Sequence, residues 1–106
     1  MTISNIDNFK NGWFIGNFDP SLLKTKNFEV AVQFHPKGFI GLRHFHKRST
    51  EYNYIVKGKM KLSGIEVSSG DIFIFHPNEI SEAEFLKDTT LIIIRTPSDP
   101  TDKYLI

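Results

Sequence analysis

Phe28, Val30, Val32 and Phe34 alternate with Glu29, Ala31 and Gln33. This period of two marks a half-buried strand, and Pro36-Lys37-Gly38 ends it. Residues 39–46 make a second β-rich run and residues 51–57 a third, which stops at Gly58. Residues 59–62 and 65–67 flank Ser63-Gly64, a pair suited to a tight hairpin turn. Residues 71–76 and 89–95 are strongly apolar and β-branched or aromatic, as expected of strands buried on both faces. Helical periodicity is almost absent; the one candidate turn follows Asp19-Pro20-Ser21, with Asp19 as cap and Pro20 in the first turn. Short strands at close spacing predict an all-β sandwich or barrel, with an N-terminal arm (1–27), a core (28–97) and a C-terminal tail (98–106). In the arm, Trp13, Phe14, Ile15 and Phe18 are apolar with no clear strand partner. They either close the barrel's open end or pack on a second subunit. Together with an edge strand that needs cover, they predict a homodimer.

Composition narrows the class. The 106 residues fit a single domain, and ten Phe, three Tyr and one Trp supply large buried area at few positions. A net charge of +1 gives no footprint for nucleic acid. Lys24, Lys26, Lys47, Arg48, Lys57, Lys59 and Lys61 are balanced by scattered acids and read as solvated strand faces. Without cysteine there are no disulfides. The N-terminus lacks the basic start and apolar run of a signal peptide, and Leu91 to Ile94 is far too short to span a bilayer. The expectation is a soluble, cytoplasmic chain with no membrane partner.

The chemistry concentrates between residues 38 and 58. His44 and His46 are two apart on a predicted strand, so both rings project from one face. The polar turn Lys47 to Thr50 then delivers Glu51 to the start of the next strand. Two imidazoles and a carboxylate on adjacent strands match the ligand set of a divalent metal site with open positions. Imidazole suits Fe, Ni, Cu and Zn, and the carboxylate also admits Mn.

This segment resembles the first motif of the cupin superfamily: Gly, five residues, His-x-His, four residues, Glu, six residues, Gly. Gly38, His44, His46, Glu51 and Gly58 all fall in register. The resemblance implies a cupin-type antiparallel β-barrel, the jelly-roll-like double-stranded β-helix also called RmlC-like. It also implies a metal at His44, His46 and Glu51. The family's second motif is degenerate here: counted from Gly70, its positions fall on His76, Asn78, Ser81 and Phe85. Asn78 can take the place of a glycine in a left-handed turn. Ser81 stands where the family has a fourth ligand, a histidine. An inward Ser81 carries Ala83 and Phe85 with it and sends Glu82 and Glu84 outward.

Gln33, Asn53, Ile55 and Ser81 are candidates to line a pocket, while Tyr52 and Tyr54 alternate to the opposite face. His35 and His76 stand at strand ends, where a lone histidine is more often solvent-facing. No residue reads as a general base, so a catalytic residue is unknown from sequence. Two functions follow. One is a metal-dependent enzyme acting on a small polar molecule. The other is a non-catalytic module that binds a sugar or another small ligand, with the same residues forming a hydrogen-bonded cluster.

Overall fold

Side chains alternate between a covered and a more open face along the long strands of the computed structural model, which describes residues 1–106. In chain order the strands are β1 (Trp13–Ile15), β2 (Glu29–His35), β3 (His44–Phe45), β4 (Thr50–Lys57), β5 (Lys59–Leu62), β6 (Ile65–Ser68), β7 (Ile72–Phe75), β8 (Ala83–Phe85), β9 (Thr89–Thr96) and β10 (Tyr104–Leu105). One antiparallel sheet runs β1-β2-β9-β4-β7, a second runs β6-β5-β8, and β10 pairs with β3. The two larger sheets meet over an apolar core, with Ala31, Ile55, Leu91 and Ile93 from one and Met60 and Phe85 from the other.

Register decides what each face presents. On β4, Glu51, Asn53 and Ile55 are buried while Tyr52, Tyr54 and Val56 are exposed. Asn53 lies opposite Phe73 on β7 and Ile93 on β9, and Glu51 lies opposite Phe75 and Arg95. With a side-chain period of two, Phe73, Phe75, Leu91, Ile93 and Arg95 therefore face the interior together with Glu51 and Asn53. The Ser63-Gly64 turn forms as expected: φ is 47° at Ser63 and 87° at Gly64, the positive pair that matches hairpin twist.

Three expectations need correction, and the open choice for Trp13–Ile15 is narrowed. The run 39–46 is a broken ladder, with regular pairing only at His44–Phe45; the rest contacts residues 81–85 through single bonds such as Gly41 N–H to Ala83 O at 2.9 Å. No helical turn follows Asp19-Pro20-Ser21. The segment doubles back on β1 instead, Leu22 N–H donating to Phe14 O at 2.8 Å, and Asp19 pairs with Lys24 at 2.9 Å rather than capping. Trp13–Ile15 pairs with β2 of its own chain, Trp13 opposite Ala31, and so covers its own barrel. Residues 71–76 and 89–95 are buried on one face only, because Ile72, Ile74 and Ile94 point outward and stay exposed. The flanking arm and tail supply β1 and β10. No helix is long and apolar enough to cross a membrane.

Candidate functional site

His44 sits on β3, where its backbone exchanges both hydrogen bonds with Ser81, at 3.3 and 2.8 Å. The chain then turns through residues 47–49 to enter β4. A carboxylate from the C-terminal tail builds that turn: Asp102 accepts the backbone N–H groups of Lys47, Arg48 and Ser49 at 2.9, 2.9 and 3.0 Å. Burial alone would raise the Asp102 carboxyl, but these donors outweigh it and hold the group below its ordinary range. Glu51 thus enters the interior at the start of β4, where it is buried.

Each of the three predicted ligands has one side-chain polar atom firmly engaged. His44 Nδ1 meets Leu42 O at 2.7 Å, and His46 Nδ1 meets the main-chain oxygen of Asp102. A carbonyl can only accept, so each imidazole donates from Nδ1, and in the neutral ring this leaves Nε2 as the acceptor. His46 is only 6% exposed, and its Nε2 is buried with no hydrogen-bond partner. The two rings lie edge to face with centroids 5.3 Å apart. Glu51 Oε1 accepts from Arg95 Nε at 3.2 Å and Nη2 at 2.9 Å, whereas Oε2 has only Asn53 Nδ2 at 3.4 Å. Tying down the second atom of a ligand in this way is how proteins orient groups toward a metal. The donor set therefore fits a divalent ion chemically. The free atoms do not, however, gather as a group of three or more His, Asp or Glu poised to hold one, and Arg95 is bonded to Glu51.

Arg95 was not among the residues that motif spacing singled out. It lies between two buried carboxylates, with Glu29 Oε2 at 3.8 Å on the side away from Glu51, and it stacks over the Trp13 ring at 4.5 Å. Burial raises the Glu29 carboxyl and Arg95 pulls it back. The signal for Arg95 was the period of two in Leu91, Ile93, Arg95, which puts a charge on the core face. Asp102 had no comparable signal.

A cleft of about 690 Å³ runs between the sheets, with Trp13, Phe73 and Phe75 among its apolar walls and His44, Glu51 and Arg95 among its polar groups. Gln33, Asn53 and Ser81 line it as expected, but Ile55 does not; it is fully buried in the core because its register places it opposite Leu91. Ser81 shares the cleft with Ala83 and Phe85, and Glu82 and Glu84 turn to the other side, where Glu82 meets Arg43. Asn78 has φ 71°, the left-handed turn foreseen for it. His35 also lines the cleft, between Phe39 and Phe85 with centroids at 5.1 and 4.5 Å. His76 is exposed at a strand end.

Burial lowers the affinity of both His46 and His35 for protons, and for His46 the charge of Arg95 adds to it. The unfolded chain then takes up those protons first as pH falls. Stability should be at its full value above about pH 6.5, the ordinary histidine value, and should decline as pH drops below it. Urea unfolding at pH 7 and pH 5 checks this; a midpoint that rises on acidification contradicts the sign.

No family model and no curated relative matches the sequence. Solved structures do. KdgF from Halomonas sp. is 25% identical, with a TM-score of 0.65 over 72% of this chain and 74% of that one. A double-stranded β-helix protein from Klebsiella pneumoniae is 17% identical, with a TM-score of 0.72 over 97% and 89%. A cupin-superfamily sugar phosphate isomerase from Silicibacter pomeroyi is 22% identical, with a TM-score of 0.62 over 76% of this chain and 57% of that chain. Strand order, register and these likenesses together give the chain a double-stranded β-helix fold, similar to that of small cupin proteins.

Proposed function

We propose that the domain is a metal-dependent enzyme for a small polar molecule, with a divalent ion (Fe, Mn, Ni or Zn) held by His44 Nε2, His46 Nε2 and Glu51 Oε2. The observation that carries this reading is the buried, unpartnered Nε2 of His46, on a ring already oriented through Nδ1. Such an atom is costly unless something accepts its lone pair. A bound ion would supply Lewis-acid polarisation of a ligand oxygen. Around it, Trp13, Phe73 and Phe75 would exclude water from one side of the cleft, while Asn53 and Ser81 would offer hydrogen bonds to a polar ligand. Arg95 would hold the second oxygen of Glu51 in place. The name of the Silicibacter neighbour, a sugar phosphate isomerase, is in keeping with small-molecule chemistry, although this fold hosts many reactions. The contact of Arg95 with Glu51 favours a second reading, a non-catalytic module in which the polar cluster recognises a sugar or similar ligand.

Metal content and binding titrations with Mn, Fe(II), Ni and Zn separate the two. His44→Ala, His46→Ala and Glu51→Ala should each weaken binding by more than the roughly 10–100-fold that loss of a supporting partner costs. Ser81→Ala should change little, and Ser81→His should tighten binding by adding a ligand on the cleft face. A wild type that takes up none of the four ions removes the enzyme reading and leaves the binding module.

Protons compete with the ion for imidazole nitrogen, so affinity should fall between about pH 7 and pH 5. Burial holds His46 below the ordinary histidine range, which places its share of the loss toward the acid end. Titrations at three pH values measure this, and an affinity flat across the range contradicts histidine ligation.

A further inference from the structure

We propose that the ligand of the cleft is a small organic acid with an apolar body, its carboxylate anchored by Lys103. The inference narrows the ligand of the proposed function and rests on the cleft being its binding site, but it needs no ion. Four charged side chains line the cleft: Asp7, Glu51, Arg95 and Lys103. Glu51 and Arg95 are spent on each other. None of the chain's ion pairs includes Lys103, and its neighbour Asp102 is committed to the backbone of residues 47–49. The peptide that joins Asp102 to Lys103 is the one whose oxygen holds His46 Nδ1, and β10, which follows at once, pairs with β3. An uncompensated cation thus stands beside the imidazoles, where it draws the anionic end of a ligand. Asp7, the other unpaired charge, belongs to the arm, which Gln33 ties to β2 through Asn11 O.

The body of the ligand follows from what the rest of the cleft cannot do. Gln33 is used twice: Nε2 donates to Asn11 O at 2.8 Å, and Oε1 accepts from His35 Nε2 at 3.0 Å. Asn53 Nδ2 donates to Glu51, and His44 Nδ1 to Leu42 O. The polar side chains therefore bond mainly to one another, which leaves the Ser81 hydroxyl and the Asn53 oxygen for a ligand. A sugar carries a hydroxyl on nearly every carbon, and each one buried without a partner is costly. An apolar ring or chain makes no such demand. From Arg95 the wall continues along β9 through Ile93 to Leu91, about 13 Å at the rise of an antiparallel strand. Phe39 and Phe85, packed on the His35 ring, extend it. A cleft of about 690 Å³ holds an acidic head and a phenyl or short acyl body.

A bound divalent ion would add to the pull on a carboxylate. Lys103 supplies the preference by itself, so the ion-free protein carries it too. The side chain of Lys103 is exposed, which lets its ammonium follow a head group into the cleft and makes its removal harmless to the fold.

The probes are phenylpropionate, phenylpropionamide, phenylpropylamine and glucuronate, each titrated in EDTA and again with Mn(II). Trp13, the one tryptophan, lines the cleft and reports binding by fluorescence, with calorimetry as a second readout. In EDTA the acid should bind about fivefold tighter than its amide, the advantage of one partly exposed charge pair. The amine should bind more weakly than the amide, and glucuronate at least about tenfold more weakly than phenylpropionate, because its body buries no apolar surface. Lys103→Gln should erase the advantage of acid over amide and leave the amide's affinity and the circular dichroism unchanged. Lys47→Gln, which removes an ammonium stacked on Tyr104, should keep that advantage. The order of affinities in EDTA tests this inference and uptake of Mn(II) tests the metal reading, so either can fail alone. An amide that binds wild type as tightly as the acid overturns the proposal, as does an amine that binds tightest. So does glucuronate binding more tightly than phenylpropionate, an equal loss of acid and amide in Lys103→Gln, or no binding of any probe under either condition.

Discussion

Arg95→Ala is expected to lower stability by about 3–5 kcal/mol, because removing one member of a buried ion-pair cluster strands the others. The Arg95 side chain is 15% exposed, and those of Glu29 and Glu51 are 4% and 9%. Without the guanidinium, two buried carboxylates face each other with no counter-charge, and the Trp13 ring loses the cation stacked on it. The loss should depend on pH in a definite sense. Burial already raises the Glu29 carboxyl, and Arg95 opposes that rise. In the variant the largest opposing influence is gone, so Glu29 rises further and folds more favourably as the neutral acid. A folded value raised above the unfolded one contributes stability at low pH that is lost as pH climbs through it. The deficit of Arg95→Ala should therefore be greatest near neutrality and shrink toward pH 4. Urea unfolding of both proteins at several pH values measures it. Combining Glu29→Gln, Arg95→Met and Glu51→Gln should recover much of the loss, since neutral replacement of a whole buried ionic cluster is often tolerated. A deficit that is flat with pH would assign the loss to packing alone.

Gly58→Ala should cost about 2–6 kcal/mol, the sum of two separable effects. Gly58 holds φ 124°, and a Cβ there would lie 2.6 Å from Thr89 Cα and 2.7 Å from Asp88 O. Both are backbone atoms on the neighbouring chain segment and cannot rotate away. Gly38, the glycine that opens the same motif, holds φ 89° with nothing within 4 Å of a built Cβ. Gly38→Ala should therefore carry only the conformational cost of about 1–2 kcal/mol. The difference between the two denaturation midpoints isolates the contact with Thr89. Equal losses would mean that the chain at Gly58 relaxes freely, and that the glycine serves only its dihedral angle.

These two residues also show how far a sequence carries. The motif placed Gly58 correctly, but its reason lies in residues 88 and 89, brought close by the pairing of β4 with β9. The same pairing made Arg95 the partner of Glu51, 44 residues away. Spacing between His44, His46 and Glu51 said which residues share a face; it said nothing of a competing cation on another strand. Ile55 shares the face of Glu51 by period, yet the core claims it because Leu91 lies opposite.

Local alternation and turn residues by themselves determined that the chain is all-β and where most strands begin and end. Those properties depend on the side-chain period of two and on the backbone angles of glycine and asparagine, which neighbours in sequence settle among themselves. Only the tertiary structure decided that Asp102 braces the turn after His46 from 53 to 56 residues away. It alone decided that Glu51 shares Arg95 with Glu29, and that one face of β7 and β9 stays open. Each of these is a contact across strands, set by register and sheet order. Register is an outcome of the whole core packing at once, so no window of sequence contains it.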